Sequence, residues 1–446
     1  MSSVQIDHNE PEPTNVSELN LFSASQTDAA PPSTALGGIT KPVNLSNLGI
    51  GRPLLLDLLL KHILQQQVAT LESLVATLCI PGKLILELLA EAKQMMWVEN
   101  RASTAQARFS LSGSGRQCAE HLLLQSGYIG PVPVPLSQYT QVVQAQSHQN
   151  IRVTQAFMQE RLAGESFESD ALQAMGMALN SNKPVLLYGL PGSGKSYLCR
   201  QLIKVFDDEV MQPYAVEVNN QIIQLYDPQV HQLVLHPTET LQDTRYQLIK
   251  RPLVITGGEL TLDMLEVSYD NIRHLYKAPL QMKANNGILL LDDLGRQQVS
   301  PAALFNRWII PLEERKDFLT LSSGAHFEVP FELVMLFSTN LNPAELVDDA
   351  FLRRLGYKIQ MQPLSQQQYQ QLWQRVSGEY GLRCATDEFD YLVTTYHAAR
   401  SIPFLPCYPR DLLGIVRDAV RYNSLPHVVT TDLLDNAWRH YFVNAV

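Results

Sequence analysis

Eight consecutive residues concentrate the chemistry of this chain. Gly189-Leu190-Pro191-Gly192-Ser193-Gly194-Lys195-Ser196 fits the pattern G-x-x-x-x-G-K-[ST] at every fixed position. Glycines at those spacings let backbone N–H groups approach phosphate oxygens, and a helix starting behind them adds the positive end of its dipole. Lys195 is expected to reach the β- and γ-phosphates, and the Ser196 hydroxyl to ligate Mg²⁺. The context agrees: Pro184 to Tyr188 is a short apolar run with the look of a strand, and Tyr197 to Ile203 has helical spacing. The residues Gly189 to Tyr197 are therefore expected to cradle the phosphates of a nucleoside triphosphate.

A second group lies about a hundred residues downstream. Gly287-Ile288-Leu289-Leu290-Leu291-Asp292-Asp293 reads as a buried strand ending in two carboxylates. An uninterrupted apolar run suits a central parallel strand. Asp292 is expected beside the metal, and Asp293 is placed to orient the attacking water.

Elements that position these groups are legible around them. Phe167 to Leu179 reads as a helix leading through Asn180-Ser181-Asn182-Lys183 into the strand before the phosphate loop. Tyr214, Val216 and Val218 alternate as one face of a strand, with Ile222 to Leu225 starting the next element. Tyr226 is either a loop aromatic or a buried tyrosine. Beyond Leu364 the pattern gives four helices, near 365–377, 387–398, 410–422 and 431–443, a lid able to pack over a ligand.

The remaining sequence sets bounds. The chain has 446 residues, 45% hydrophobic and 17% charged, with a formal net charge of −10. That balance is ordinary for a globular protein and argues against bulk attraction to nucleic acid or an anionic membrane. Five scattered cysteines form no C-x-x-C pair, so neither a disulfide framework nor a zinc site is indicated, and His231, His236 and His274 lack metal-ligand spacing. The most apolar run, Pro53 to Leu64, contains Asp57 and Lys61 and is too short to span a bilayer. No signal peptide is evident, and a cytoplasmic protein without membrane insertion is expected.

Residues 1–44 hold five prolines, five acids and one base, and are expected to be a disordered tail in which Leu19 to Phe22 is a weak docking candidate. Residues 45–128 read as a small helical domain, with helices near 53–66, 70–79 and 83–95 and hairpin strands near 96–99 and 107–111. Thr70-Leu71-Glu72-Ser73 opens the second helix like a capping box whose acid comes one residue early. The exit Phe109 to Arg116 resembles that of winged-helix domains. Over 52–128, seven Lys or Arg face six Asp or Glu, a poor phosphate-neutralising surface, which favours a protein-docking module over a DNA reader. Gly130 to Pro135 and the Gln-rich stretch after it are expected to be a linker over 129–150.

The order of motifs resembles that of AAA+ ATPases, mostly hexameric ATP-driven remodelling machines. After the phosphate loop and the acidic strand, Phe331 to Asn340 is similar to the family's sensor-1 strand, ending in Asn340. Asp349-Ala350-Phe351-Leu352-Arg353-Arg354-Leu355 resembles the segment carrying the arginine finger, and Arg410 in Tyr408-Pro409-Arg410-Asp411-Leu412 fits the sensor-2 arginine. Leu319 to Val329 reads as the hairpin of the pre-sensor-1 group, which includes the MoxR-like ATPases. The G-A-F-T-G-A loop of sigma-54 activators is absent, and Asp293 stands where the family has Glu, one methylene longer. The resemblance implies an α/β P-loop NTPase sheet over 151–362, a helical lid over 363–446, and a preceding winged-helix-like domain. It further implies ATP and Mg²⁺ as ligands, ATP hydrolysis aided by Asp293, Asn340, Arg353, Arg354 and Arg410, a hexameric ring, and a protein substrate or adaptor. The alternatives are an ATP-regulated DNA-binding transcription factor and a slow or non-hydrolysing nucleotide switch.

Overall fold

The computed structural model describes residues 39–101, 107–165, 167–234, 242–346 and 349–442. The expected tail lies outside them up to residue 38, its 19–22 patch included. From Ile39 the chain is already folded: Ile39 is buried, and Asn44 caps a 3-10 turn, Leu45–Leu48, through its side chain.

The amino-terminal module runs α1 (Arg52–Gln66), β1 (Ala69–Thr70), α2 (Leu71–Leu78), α3 (Gly82–Gln94), β2 (Val98–Arg101), β3 (Arg108–Leu111) and α4 (Gly113–Gln125). Leu58, Leu59, Leu60 and Ile63 of α1 are fully buried against Leu74, Leu84, Ile85 and Leu88. The strands make a small antiparallel sheet in the order β1-β3-β2. The α2 start differs in detail from the expectation. Thr70 Oγ1 accepts from Ser73 N and Ser73 Oγ accepts from Thr70 N, so a serine three residues on closes the reciprocal cap and Glu72 is not needed.

Next come β4 (Val134–Pro135), α5 (Leu136–Ala145), α6 (Gln155–Arg161), α7 (Ser169–Ser181), β5 (Val185–Tyr188), α8 (Lys195–Gln201), β6 (Glu209–Pro213), β7 (Ala215–Val218), β8 (Gln221–Gln224), β9 (Tyr246–Lys250), β10 (Leu253–Thr256), β11 (Ser268–Asp270) and β12 (Leu275–Lys277). They are followed by α9 (Leu280–Ala284), β13 (Ile288–Leu291), α10 (Pro301–Glu314), β14 (Lys316–Thr320), β15 (His326–Pro330), β16 (Val334–Thr339), α11 (Pro343–Leu346), α12 (Asp349–Arg354) and β17 (Tyr357–Gln360). The lid is α13 (Gln366–Glu379), α14 (Thr386–Leu392) extended by a π-helical turn (Val393–Ala398), α15 (Cys407–Tyr422) and α16 (Thr431–Tyr441).

Five parallel strands in the order β10-β13-β16-β5-β17 form the central sheet. Ile288, Leu289, Leu290 and Leu291 of β13 are wholly buried, because helices and loops cover both faces. With the phosphate loop after the inner strand β5 and a helical lid beyond β17, this is the P-loop NTPase architecture that the resemblance implied.

A second sheet was not foreseen. Strands β11-β12-β8-β7-β4 pack with α5 and the β14–β15 hairpin around Val134, Tyr139, Val216, Ile223 and Phe327. This changes the reading of 129–150, which is no free spacer: Val132 and Val134 are buried, and α5 buries Tyr139, Val142 and Val143. The prolines fit because β4 is an edge strand, where a missing N–H removes no ladder bond. Tyr226 is packed between Tyr214 and His231, with ring centroids 5.6 Å away on either side, and is not a free loop aromatic. No single helix among the described residues is long and apolar enough to cross a membrane.

Arg245 ties these parts together. Its guanidinium is 1% exposed, pairs with Asp243 at 2.8 Å, and donates to the carbonyls of Leu48 (3.0 Å) and Pro133 (3.2 Å) and to Gln138 Oε1 (3.2 Å). Removing one partner of a buried pair leaves an uncompensated charge and orphaned acceptors. Arg245→Ala is expected to cost about 3–5 kcal/mol, read as a lower urea midpoint for the transition that reports on the amino-terminal module and the second sheet. An unchanged midpoint would show that Arg245 does not join them.

Candidate functional site

The phosphate loop turns sharply three times. Gly189, Gly192 and Gly194 have φ of 144°, 81° and 89°, conformations that side chains rarely tolerate. Space imposes the same choice. A Cβ on Gly189 would lie 2.7 Å from Met361 O, and one on Gly192 would lie 2.4 Å from Cys407 Sγ of the lid. The loop is thus closed in between β17's exit and α15, and Cys407 N donates to Gly192 O at 3.3 Å.

Lys195 opens α8 with its ammonium folded back over the loop. Its Nζ donates to Gly189 O (3.0 Å), Leu190 O (2.9 Å) and Ser193 Oγ (3.3 Å). Burial lowers its pKa, an effect opposed by the negative charges of Asp292 and Asp293. One residue on, Ser196 Oγ donates to Asp292 Oδ1 at 2.7 Å. A hydroxyl and a carboxylate at one point are hard oxygen ligands, the donor set that a Mg²⁺ ion takes.

The acid strand ends in a shaped turn. Asp293 has φ 53°, and its Oδ1 accepts from Asn340 Nδ2 at 2.9 Å. Asn340 directly follows β16, the neighbour of β13, so strand order alone brings the two residues together. Gln297 staples the turn: its Nε2 donates to the Asp292 and Asp293 carbonyls (3.0 and 3.1 Å), and its Oε1 accepts from Gly295 N (2.8 Å). Leu294 N donates to Ser338 O at 2.7 Å, and Thr339 Oγ1 to Leu294 O at 2.8 Å, which fixes the turn to β16. Sequence reasoning missed Gln297, although Gly295, at φ 101°, marked a turn that needed a partner.

A cavity of about 430 Å³ lies between the central sheet and the lid. Gly192, Ser193, Gly194, Lys195, Ser196, Asp293 and Asn340 give its wall polar groups. Phe167, Met361, Leu364, Leu372 and Val376 give it apolar ones that the sequence reading did not assign. Tyr197 lines it too, 5.8 Å from the Phe167 ring, with its hydroxyl donating to Glu165 Oε2 at 2.7 Å. A cavity whose wall combines glycine-loop polar groups with apolar side chains suits a ligand that has both charged and apolar parts.

The expected arginines divide. Arg410 lines the cavity from α15 and donates to Glu379 Oε2 at 3.3 Å. Arg353 and Arg354 lie on α12 and do not line it; Arg353 is exposed, and Arg354 Nε donates to Glu313 Oε1 at 2.6 Å. Neither arginine meets the phosphate loop of its own chain in this arrangement.

Comparison with known proteins adds a match on the lid. Residues 365–440 match a family described as a domain of unknown function (DUF8689). No curated protein matches the sequence. Among solved structures, the chain is similar to the Thermotoga maritima RuvB Holliday junction branch migration motor at 11% identity, over 64% of this chain and 73% of that one, with a TM-score of 0.37. It is also similar to NtrX from Brucella abortus at 14% identity, over 64% of this chain and 62% of that one, with a TM-score of 0.41. At those scores the likeness is distant, and the site stands on its own geometry. The family match falls on the helices that carry Leu372, Val376 and Arg410 of the cavity wall.

Proposed function

We propose that this chain is an AAA+ ATPase that binds ATP between its central sheet and its lid and hydrolyses it to ADP and phosphate. The observation that carries this reading is the Ser196–Asp292 contact at 2.7 Å beside Lys195, on the wall of a cavity roofed by the lid. Ser196 and Asp292 would hold Mg²⁺, which neutralises phosphate charge. Lys195 would leave its loop carbonyls for the phosphate oxygens, and loop N–H groups would fix the chain of phosphates. Asp293, aligned by Asn340, would orient the water for in-line attack. Arg410 would approach the phosphates from the lid.

Arg353 and Arg354 fit the same reading only if they act on a neighbouring subunit, so a homo-oligomeric ring, hexameric by the resemblance, is part of the proposal. The cycle would remodel a protein partner in the cytoplasm. The amino-terminal module, winged-helix-like in its element order, would engage that partner. Its outward α3 face supports a protein over DNA, because it shows Leu86 at 48% exposure beside Lys83, Glu87 and Ala90.

Lys195→Ala is expected to weaken ATP binding roughly 10- to 100-fold, as loss of one or two charge-assisted hydrogen bonds, without unfolding the chain. Calorimetric titration checks this, and parental affinity in the variant would sink the central assignment. Asn is tolerated at left-handed φ as Asp is, so Asp293→Asn removes a charge with little change in shape. It is expected to keep ATP affinity and lose turnover by about 10²- to 10⁴-fold, measured as phosphate release; unchanged turnover would move the water-orienting role elsewhere.

The ring can be tested by mixing. Arg353→Ala/Arg354→Ala protein should lose about 10³- to 10⁵-fold of turnover, the worth of an arginine finger, and Lys195→Ala protein should be inactive as well. Mixed, they should recover part of the activity, since some interfaces then join an intact loop to intact arginines. Verified mixed assemblies with no recovery would rule out action between subunits.

A further inference from the structure

The turn after β13 carries both acids of the site, and nearly every main-chain group in it has a partner. Asp292 N donates to Thr256 O at 2.8 Å, Asp293 N to Asp292 Oδ1 at 3.1 Å, and Leu294 N to Ser338 O at 2.7 Å. Leu294 O accepts from Thr339 Oγ1 at 2.8 Å, and Asp293 O accepts from Arg296 N at 3.0 Å. Two groups have no main-chain partner among the described residues, the Asp292 carbonyl and the Gly295 N–H. One side chain takes both. Gln297 Oε1 accepts from Gly295 N at 2.8 Å, and its Nε2 bridges the carbonyls of Asp292 and Asp293 at 3.0 and 3.1 Å. The partners fix the sense of the amide, since only its NH₂ can face two carbonyls and only its oxygen can face an N–H.

The clamp spans a turn with two left-handed residues, Asp293 at φ 53° and Gly295 at 101°. A side-chain-bearing residue keeps such a conformation where its surroundings over-determine it. The Asp293 carboxylate depends on that backbone angle for its contact with Asn340 Nδ2, at 2.9 Å, and for its place on the cavity wall. Gln297 is half-buried and does not line the cavity, so its route to the site is the turn itself. Asp292 is anchored independently, through Thr256 O and through Ser196 Oγ at 2.7 Å.

We propose that Gln297 is a positioning residue for hydrolysis, clamping the acid turn in the left-handed form that presents the Asp293 carboxylate. The inference rests on the ATPase reading of the site and deepens it. Without the clamp a carbonyl and an N–H go unmet, and the turn meets them only by leaving this conformation. That movement takes the carboxylate away from Asn340. Misplacing a positioned group by about 1 Å can cost on the order of 10²-fold in rate. The phosphate loop, Lys195 and Ser196 belong to β5 and α8 and keep their places.

Phosphate release and calorimetric titration with ATP, on the full chain and its variants, test this. Gln297→Ala is expected to lower turnover roughly 10- to 100-fold with ATP affinity unchanged, and the retained affinity reports a folded variant. Gln297→Glu keeps an acceptor for Gly295 N but turns a carboxylate oxygen toward two carbonyls, so it is expected to lose turnover as well. A double-mutant cycle separates positioning from general damage. With no carboxylate left to place, Asp293→Asn/Gln297→Ala should release phosphate no more slowly than Asp293→Asn alone. Parental turnover in either single variant of Gln297, a loss of ATP affinity in Gln297→Ala that matches its loss of turnover, or additive losses in the double variant would each overturn the inference while leaving the ATPase reading intact. A parent chain that releases no phosphate from ATP would overturn that reading and the inference with it.

Discussion

The hydrogen bond from Ser196 to Asp292 spans 96 residues of sequence, and most of the architecture exists to make it possible. Ser196 must sit in the first turn of α8, directly behind the glycine turns. Asp292 must end a strand two places away in the same sheet, with β16 between β5 and β13. Parallel pairing puts the carboxyl ends of all five strands on one edge, where the loop, the acid turn and Asn340 meet. Parallel strands require crossover connections and cover on both faces. The fully buried residues of β13 are the counterpart of that requirement, and a polar side chain among them would remove the apolar area that holds the sheet together.

The lid adds a second constraint. Its own core is aromatic, with Tyr396 and Trp438 at 4.4 Å and Tyr369, His397 and Phe404 in mutual contact, so it holds its shape apart from the sheet. It meets the phosphate loop where Cys407 N donates to Gly192 O, and it meets the segment after α6 where Arg375 donates to the Gly164 carbonyl. Burial pushes the Cys407 thiol's pKa up, which keeps it a neutral packing group against the loop. A body with its own core can shift as a unit against the sheet it covers.

Legibility in the sequence followed the locality of the signal. The loop, the acid strand, the lid helices and the β14–β15 hairpin announce themselves within windows of ten to fifteen residues. The second sheet does not, because β4, β11 and β12 are two or three residues long and give no alternation to read. Composition misled at 129–150 for a physical reason. Gln146 looks like solvated polar sequence, yet it is buried and exchanges hydrogen bonds with the Met211 backbone, at 3.1 and 2.5 Å, as a strand neighbour would. Arg375 was hidden in another way. Only the fold brings the Gly164 carbonyl to it and sets it on the cavity wall, and on a Gln-rich helix it reads as one more solvated cation.

The acid pair shows how backbone and side chain trade against each other. By sequence, Asp293 is one methylene short of the glutamate expected there, which suggests a carboxylate that falls short of the water. In the structure the residue is left-handed, at φ 53°, a conformation that Asp and Asn enter far more readily than longer side chains. The turn is not free to relax, since Gln297 holds two of its carbonyls and Leu294 is tied to Ser338 and Thr339. That backbone swing carries the short carboxylate to 2.9 Å from Asn340 Nδ2 and onto the cavity wall. A glutamate at the same φ would meet the greater cost of a longer side chain in a left-handed turn, typically about 1–3 kcal/mol of strain for sparsely populated backbone. The shorter acid and the left-handed turn therefore suit each other, and the Asn340 contact holds the carboxylate in place.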